Sequence, residues 1–566
     1  MRMNRRKFLG EVGMATAAAS VLGNASAAPA NTGPTGNSPG SVTGGSRIER
    51  GRVLQAYNIR VAALVKDART PVPPHTTNGD ELRYADKSAS YSKGLLQDDI
   101  GVVNPAAWQS FKKALQSGSS IDWEAIITGG PRTQNDPQGA YAFDLESLDS
   151  VQYGNAPAFD SNTPVVPPFD QITSESYGTQ LMELYWASLL RDVAFTDYAG
   201  NTTAQEAAAE LTAAKDYRGP RDSNGHVTPE LLFRGTLPGE TVGPCMSQFM
   251  ILPTRLGQQP IDQLMITYLP GVDYMTDTHT FQQVQNGIPT GFSNQADPVR
   301  RYLRNGRDLC AWTHTDVAYQ GYLVAMLILG TLRAPLNPGN PYAHSKTQNG
   351  FCSFGGADIA AAMGESSNRA LQKVWYQKWL VHLTHRPESG AGLVQQILSG
   401  NGGRVQAHPN SNVLNSKAVA QSFSKYGTYL LSQAFPEGSP THPSYPTGHG
   451  AVAGACITLL KFFFDQNYVI PDPMVPASGG ESLVPYTGAD AGEITVGGEL
   501  NKLARNISFG HGVHAGIHWR TDTDSSMTLG EAIAISMLRD RAQCYNEKFS
   551  VTFTRLDGSD VTISNS

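Results

Sequence analysis

The chain has 566 residues, 40% of them hydrophobic and 16% charged, with 57 Gly and 35 Pro, a length that allows roughly three to five modest domains or one large one. Lys and Arg number 43 against 49 Asp and Glu, a net charge of −6, which excludes a general nucleic-acid or anionic-membrane binder because those carry a basic excess. Any anion the protein holds has to be gripped locally.

In chain order, residues 1–27 read first as an export signal. Asn4-Arg5-Arg6-Lys7-Phe8-Leu9-Gly10 precedes a weakly apolar, Ala-rich stretch to Leu22 and then Ala25-Ser26-Ala27, the order of charged region, apolar region and small-residue cleavage site. The Arg pair before Phe-Leu resembles a twin-arginine signal, so the protein is expected in the periplasm or outside the cell. Loss of residues 1–27 removes Arg2, Arg5, Arg6, Lys7 and Glu11 and leaves a mature chain at −9. Residues 28–46, with Pro, Gly, Asn, Ser and Thr and no charge up to Arg47, read as a flexible leader.

From residue 47 helical periodicity recurs, at 53–64, 178–195, 312–332, 369–383, 417–434, 450–464 and 528–543. No later segment reaches the ~18 uncharged apolar residues of a membrane span; Ala451–Phe464 is short and interrupted by Lys461. Long Gly/Pro/Asn/Asp-rich connections such as 129–174 and 334–356 wrap a helical core rather than separate domains, since no low-complexity linker follows residue 46. Val551, Phe553, Leu556, Val561 and Ile563 alternate around Asp557-Gly558 and predict a terminal β-hairpin. The expected fold is all-α in a single domain over 47–566, with the site in 370–545. Five Cys, at 245, 310, 352, 456 and 544, are too few for a disulfide scaffold, and their odd number leaves at least one free thiol.

Eight of the thirteen His lie between Lys378 and Asp522, and three local patterns there suit one kind of site. In the first, seven residues separate Lys378 from Arg386-Pro387 in an apolar helical run. At 100° per residue Lys378, His382, His385 and Arg386 share about 100° of arc, with the two cations about 12 Å apart along the axis, close enough for long side chains to converge on an anion. In the second, Pro446-Thr447-Gly448-His449-Gly450 runs into an apolar helix, whose mouth offers a hydroxyl, unpaired N–H groups and the positive end of the helix dipole to an anion. His449 is placed there to exchange protons. In the third, Asp522 stands four residues after His518, one helical turn on, where it can take the Nδ1 proton and leave Nε2 as nucleophile or metal ligand. Each pattern alone has an ordinary structural explanation, a solvated basic face, a capped helix or a common ion pair.

Together, in order and spacing, these blocks resemble the signature shared by vanadium-dependent haloperoxidases and type-2 phosphatidic-acid phosphatases. Phe233-Arg234-Gly235, Gly243-Pro244, Ser247-Gln248-Phe249, Asn305-Gly306-Arg307-Asp308-Leu309, Phe354-Gly355-Gly356 and Ala434 to Tyr445 are similar to the algal-type vanadium bromoperoxidases, so the likeness spans about 47–548. The resemblance implies helix bundles enclosing a deep oxyanion pocket with one vanadate per subunit. His518 would be the vanadium ligand, oriented by Asp522; Lys378, Arg386, Thr447 and Gly448 would bind the equatorial oxygens; His449 would act as acid/base, with His442 nearby. It further implies hydrogen peroxide, a halide (bromide ahead of chloride) and a small organic acceptor as reactants, a homo-oligomer, and a structural calcium in some relatives.

Two positions depart from the pattern. Thr447 stands where the family has Ser, keeping the hydroxyl and adding a methyl group. Gly512 stands where the family places an Arg, six residues before the ligand His. If this stretch is helical, His511 and His514 share a face with His518, and His511 is the expected replacement donor, with vanadate binding weakening as pH rises through the His range. Two other functions use the same residues: an acid phosphatase with His518 as nucleophile, and a non-catalytic oxyanion-binding protein.

Overall fold

The computed structural model describes residues 45–69, 75–143 and 166–565, apart from the side chains of 45–49 and 66–68. The expected export signal, most of the leader and much of the connection 129–174 lie outside the described residues. The helix predicted at 53–64 is observed as Gly45–Arg69 and belongs to a compact unit of its own. Every candidate site residue belongs to a second unit, Pro73–Phe143 with Gln152–Ser566.

That second unit is built from helices, and eight matter to the site: α1 (Glu175–Leu189), α2 (Gly306–His314), α3 (Gln320–Thr331), α4 (Gly356–Tyr376), α5 (Pro387–Leu398), α6 (Gly448–Phe463), α7 (Val496–His511) and α8 (Arg520–Ala542). Side-chain caps start several of them: Ser174 accepts from Tyr177 N, Asn305 from Asp308 N and Thr495 from Gly498 N, which satisfies N–H groups that the first turn leaves open. The single helix expected over 312–332 is two, α2 and α3, separated at Thr315–Tyr319. The segment expected at 417–434 stops as Lys417–Tyr426 because Gly427 takes φ +74° and ends the helix in a left-handed cap.

α6 is the centre of the unit. Apart from His449 all of its residues are buried, as a helix apolar on every side requires, and it packs most extensively on α8, then on α4 and α7. The α6–α8 contact depends on missing side chains: a methyl group at Gly454 would stand 2.0 Å from the Met527 carbonyl oxygen, and one at Gly530 2.0 Å from that of Ala451. Two backbones therefore approach closely, which brings the N-terminal turn of α6 beside that of α8. The predicted C-terminal hairpin is present as β1 (Ser550–Thr554) and β2 (Asp560–Ser564), antiparallel, with Val551 opposite Ile563 and Phe553 opposite Val561. All four side chains are buried. The five cysteines are all free thiols, and no helix among the described residues is long and apolar enough to cross a membrane.

Candidate active site

Lys378 and Arg386 do not share a helix face. α4 passes into one wide π-helical turn, Gln377–His382, and Leu383 at φ +48° stops it; the chain then runs extended to Arg386, the N-cap of α5, with Pro387 in the first turn. A π turn within a helix is a frequent mark of a functional site. The break turns His382 against the edge of Tyr445, ring centroids 4.8 Å apart, and His385 toward the Tyr177 hydroxyl at 2.9 Å, so both serve packing rather than the pocket.

The two cations converge nonetheless. Lys378 Nζ donates to the carbonyls of Pro443 (2.7 Å) and Ser444 (2.5 Å). Arg386 donates through Nε to the His442 carbonyl (3.0 Å), and its Nη1 lies 2.7 Å from His518 Nε2. Its Nη2 is 3.0 Å from His442 Nδ1, and the His442 ring lies 4.8 Å from Trp375. Both cationic side chains are wholly buried. Burial, with Arg386 beside it, pulls Lys378 well below its ordinary pKa, and burial pulls Arg386 down to about 10. The carboxylate that faces them is Asp522, which burial pushes up to about 6 against the opposing pull of the Ser444 hydroxyl and the two cations. A dry pocket holding two cations and one carboxylate carries an excess positive charge that is costly until an anion enters it.

His518 precedes α8, and Asp522 is the third residue of that helix, so their contact crosses the helix start rather than running along a helix as the spacing suggested. His518 Nδ1 and Asp522 Oδ2 are 2.7 Å apart, and the same oxygen accepts from Ser444 Oγ at 2.5 Å and from Trp519 N at 3.3 Å. With the Nδ1 proton directed at Asp522, Nε2 keeps its lone pair. Burial, Arg386 and Lys378 hold His518 well below its usual pKa, which favours the neutral imidazole.

Thr447 is the N-cap of α6, yet its side chain makes no capping bond, and Oγ1 is buried without a partner among the described residues. Its backbone N–H donates to the Asp522 carbonyl at 3.2 Å, which ties the mouth of α6 to the start of α8. Gly448 opens the helix, and His449 Nε2 lies 3.1 Å from Asp316 Oδ1 while its ring stacks on His511, centroids 4.1 Å apart at 25°.

The stretch from Gly512 to Trp519 is not helical: α7 ends at His511, and a tight turn carries the chain to His518. His511 and His518 still meet, at 6.1 Å between centroids, and His511 Nδ1 is buried with no partner among the described residues. His514 turns away, packing on Phe195 and Phe233. Burial, then His449 and Arg386, hold His511 well below its usual pKa. These neighbours favour its neutral form, and its Nδ1 faces the pocket beside His518. Gly512 has its own reason: a Cβ there would stand 2.6 Å from the Ser508 carbonyl oxygen, so an Arg requires the turn to move.

Sequence reasoning missed Ser444 and Asp316. Ser444 lies inside a quoted block but has no distinctive spacing to Asp522, 78 residues on. Asp316 lies in the unpredicted break between α2 and α3 and reaches His449 across 133 residues, with no local signal at all.

The comparisons with known proteins agree with this geometry. The family described as "VCPO second helical-bundle domain" matches residues 358–547, the stretch that carries all of these groups except Asp316. Vanadium-dependent bromoperoxidases of Corallina officinalis and Ascophyllum nodosum are each 31% identical to this chain, over 90% and 89% of it and 98% and 91% of their own lengths. The chain belongs to the vanadium-dependent bromoperoxidase family. A solved structure, the homohexameric second vanadate-dependent bromoperoxidase of Ascophyllum nodosum, superposes with TM-score 0.82 at 27% identity, covering 96% of this chain and 95% of its own. The helical architecture is thus that of the vanadium bromoperoxidases, and this vanadium-dependent haloperoxidase is an enzyme of their kind.

The residues present fit the family's vanadate. Two buried cations, the Thr447 hydroxyl with no partner among the described residues, the N-terminus of α6 and the His518 Nε2 lone pair all suit a compact oxyanion. Among the described residues no group of three or more His, Cys, Asp or Glu side chains is placed to hold a metal ion, so no calcium site is assigned.

Proposed function

We propose that the protein is an exported bromoperoxidase that uses hydrogen peroxide to oxidise bromide to hypobromous acid, which halogenates small organic acceptors. The observation that carries this reading is the meeting of Lys378, Arg386, Thr447 and His518 Nε2 in one buried pocket with an excess of positive charge. When bound, vanadate supplies a Lewis-acidic centre at which peroxide becomes electrophilic toward halide.

Each residue then has a task. His518 offers Nε2 to the metal, and Asp522, itself held by Ser444, keeps the Nδ1 proton in place. Arg386 and Lys378 neutralise the anion's oxygens, the third Lys378 proton remaining beyond the two given to carbonyls. The Thr447 hydroxyl and the Gly448 amide would donate to the same oxygens, and His511 Nδ1 would offer a further contact. His449, held by Asp316, moves protons to and from peroxide, and His442 sits between Arg386 and Trp375, where it sets the polarity met by the halide.

The alternatives, an acid phosphatase with His518 as nucleophile and a non-catalytic oxyanion binder, use the same pocket. Likeness to bromoperoxidases over nine tenths of the chain, beyond the signature blocks, favours the peroxidase. Protein incubated with orthovanadate, then given bromide, peroxide and a bromine-trapping dye, is expected to brominate saturably with vanadate. Phosphate-ester hydrolysis by the vanadate-free form without any bromination would favour the phosphatase instead. A homo-oligomer, as in the homohexameric relative, and export by the twin-arginine route complete the proposal.

A further inference from the structure

Helix α8 carries Asp522 and begins two residues after His518, and its first turn is capped from outside. The N-cap residue is Trp519, whose side chain has no acceptor oxygen to offer. Asp522 cannot take that part, since its Oδ2 already accepts from His518 Nδ1, Ser444 Oγ and Trp519 N. The cap comes from another helix. Gln180 Oε1 on α1 accepts from Thr521 N at 3.0 Å and from Thr521 Oγ1 at 2.7 Å. Thr521 is the second residue of α8, and an oxygen on that N–H is what a Ser, Thr, Asp or Asn at the N-cap ordinarily supplies.

Gln180 is itself held. Its Nε2 donates to Asp170 Oδ2 at 2.8 Å, so that carboxylate fixes which end of the amide turns to Thr521. One turn further along α1, Glu183 accepts from Arg520 Nε at 2.9 Å and from Nη2 at 2.5 Å, and both side chains are almost wholly buried. Arg520 Nη1 donates to the Arg234 carbonyl at 3.0 Å. One turn before Gln180, the Tyr177 ring packs on Trp519 with centroids 4.7 Å apart. Tyr177, Gln180 and Glu183, three residues apart on one side of α1, thus grip Trp519, Thr521 and Arg520, the N-cap and first two residues of α8.

We propose that Gln180 and Glu183 are positioning residues for the vanadium ligand: by holding the first turn of α8 they fix the direction in which His518 Nε2 meets the anion. One residue, Trp519, joins His518 to that turn, and Asp522, which holds the Nδ1 proton, is its third member. A loosened helix start moves both together. Arg386 and Thr447 stand at the starts of α5 and α6, so they keep their places while Nε2 loses its aim, and the anion loses its one protein ligand to the metal. The bonding partners of Gln180 and Glu183 are Asp170, Thr521 and Arg520, none of them an anion-binding group, so the two act through α8. His442 and His449 lie on other segments, and halide handling is expected to be untouched.

The proposal rests on the reading of the pocket as a vanadate site, and its test separates the two. Orthovanadate is titrated by calorimetry into the vanadate-free full chain, with the vanadium NMR shift of the bound anion as a second readout and Tm as the measure of stability. Gln180→Met keeps the length of the side chain and removes the acceptor. It should weaken vanadate binding about tenfold or more and move the NMR shift, while the KM for bromide at saturating vanadate stays within about twofold. Glu183→Asp keeps the charge opposite Arg520 but draws it back by one methylene; it should weaken binding about three- to tenfold and carries the test if Gln180→Met does not fold. Val551→Ala, in the C-terminal hairpin, is the stability control: it should lower Tm and leave vanadate affinity and the NMR shift as in wild type. Wild-type affinity and shift in either α1 variant, or an equal loss of affinity in Val551→Ala, would overturn the positioning role. Failure of the wild type to bind orthovanadate would overturn the reading beneath it instead.

Discussion

Thr447 Oγ1 is buried without a partner among the described residues, a state that costs about 1–3 kcal/mol unless something fills it. Thr447→Val keeps the shape and removes the hydroxyl, so it should weaken vanadate binding by about ten- to a hundredfold, the worth of one hydrogen bond to a charged group, while Thr447→Ser should bind as wild type. Calorimetric titration of orthovanadate checks both. Lys378→Met removes a charged donor and should cost about ten- to a hundredfold in the same titration. Asp316→Asn acts differently. It leaves the vanadate-binding groups intact and loosens only His449, so vanadate affinity should hold while kcat falls about tenfold or more; a parallel loss of affinity would show that Asp316 shapes the anion site itself.

At the scale of elements, the pocket is assembled by three helix starts and one helix break. The closeness of α6 and α8 depends on Gly454 and Gly530, and Gly454→Ala forces a methyl group onto the Met527 carbonyl. Overpacking of this kind costs about 1–3 kcal/mol, expected as a lowered Tm together with weaker vanadate binding, because Thr447 moves relative to Asp522. Gly512→Arg, which restores the family's usual residue, should not restore a third cation: the turn has no room for Cβ, so lower stability and no gain in vanadate affinity are expected. The sequence blocks made Lys378, Arg386, Thr447, His449, His518 and Asp522 legible as a set, because each pair of types at its spacing serves an oxyanion. Their geometry was less legible. Neither the π turn nor left-handed Leu383 leaves a Gly or Pro mark between Lys378 and Arg386, and apolar periodicity runs on through the break. The non-helical path from Gly512 to Trp519 is set by the packing of α7 and α8, which no local pattern encodes.

Across the whole molecule, buried ionic pairs far apart in sequence hold the pocket's rim. Lys93 and Glu388, 2.6 Å apart and almost wholly buried, join the N-terminal part of the unit to α5, and Lys93 also donates to the carbonyls of Glu437 and Ser439. Glu388→Ala strands that ammonium and should cost about 3–5 kcal/mol, read in denaturant melts. Against the upward push of burial, Lys93, the Ser439 amide and the Gln285 side chain hold Glu388 below its ordinary value of 4.5. A carboxyl depressed by folding contributes stability that is complete above its unfolded value and is lost as pH falls through the folded one. Wild-type stability should therefore fall as pH drops below 4.5 and through the folded value, with a flatter acid limb in the variant. The overall architecture was readable from helical periodicity and from the alternation in the C-terminal hairpin. These long-range pairs were not, because charge partners 295 residues apart share no spacing. The central claim is that one buried pocket, ligated through His518, holds the anion on which bromide oxidation depends. Titration of vanadate-free protein with orthovanadate, with bromination assayed at each step, tests it most directly: activity should rise to a plateau at one vanadate per chain and vanish in His518→Ala, whereas bromination that never appears in the wild type, or that survives in His518→Ala, would contradict it.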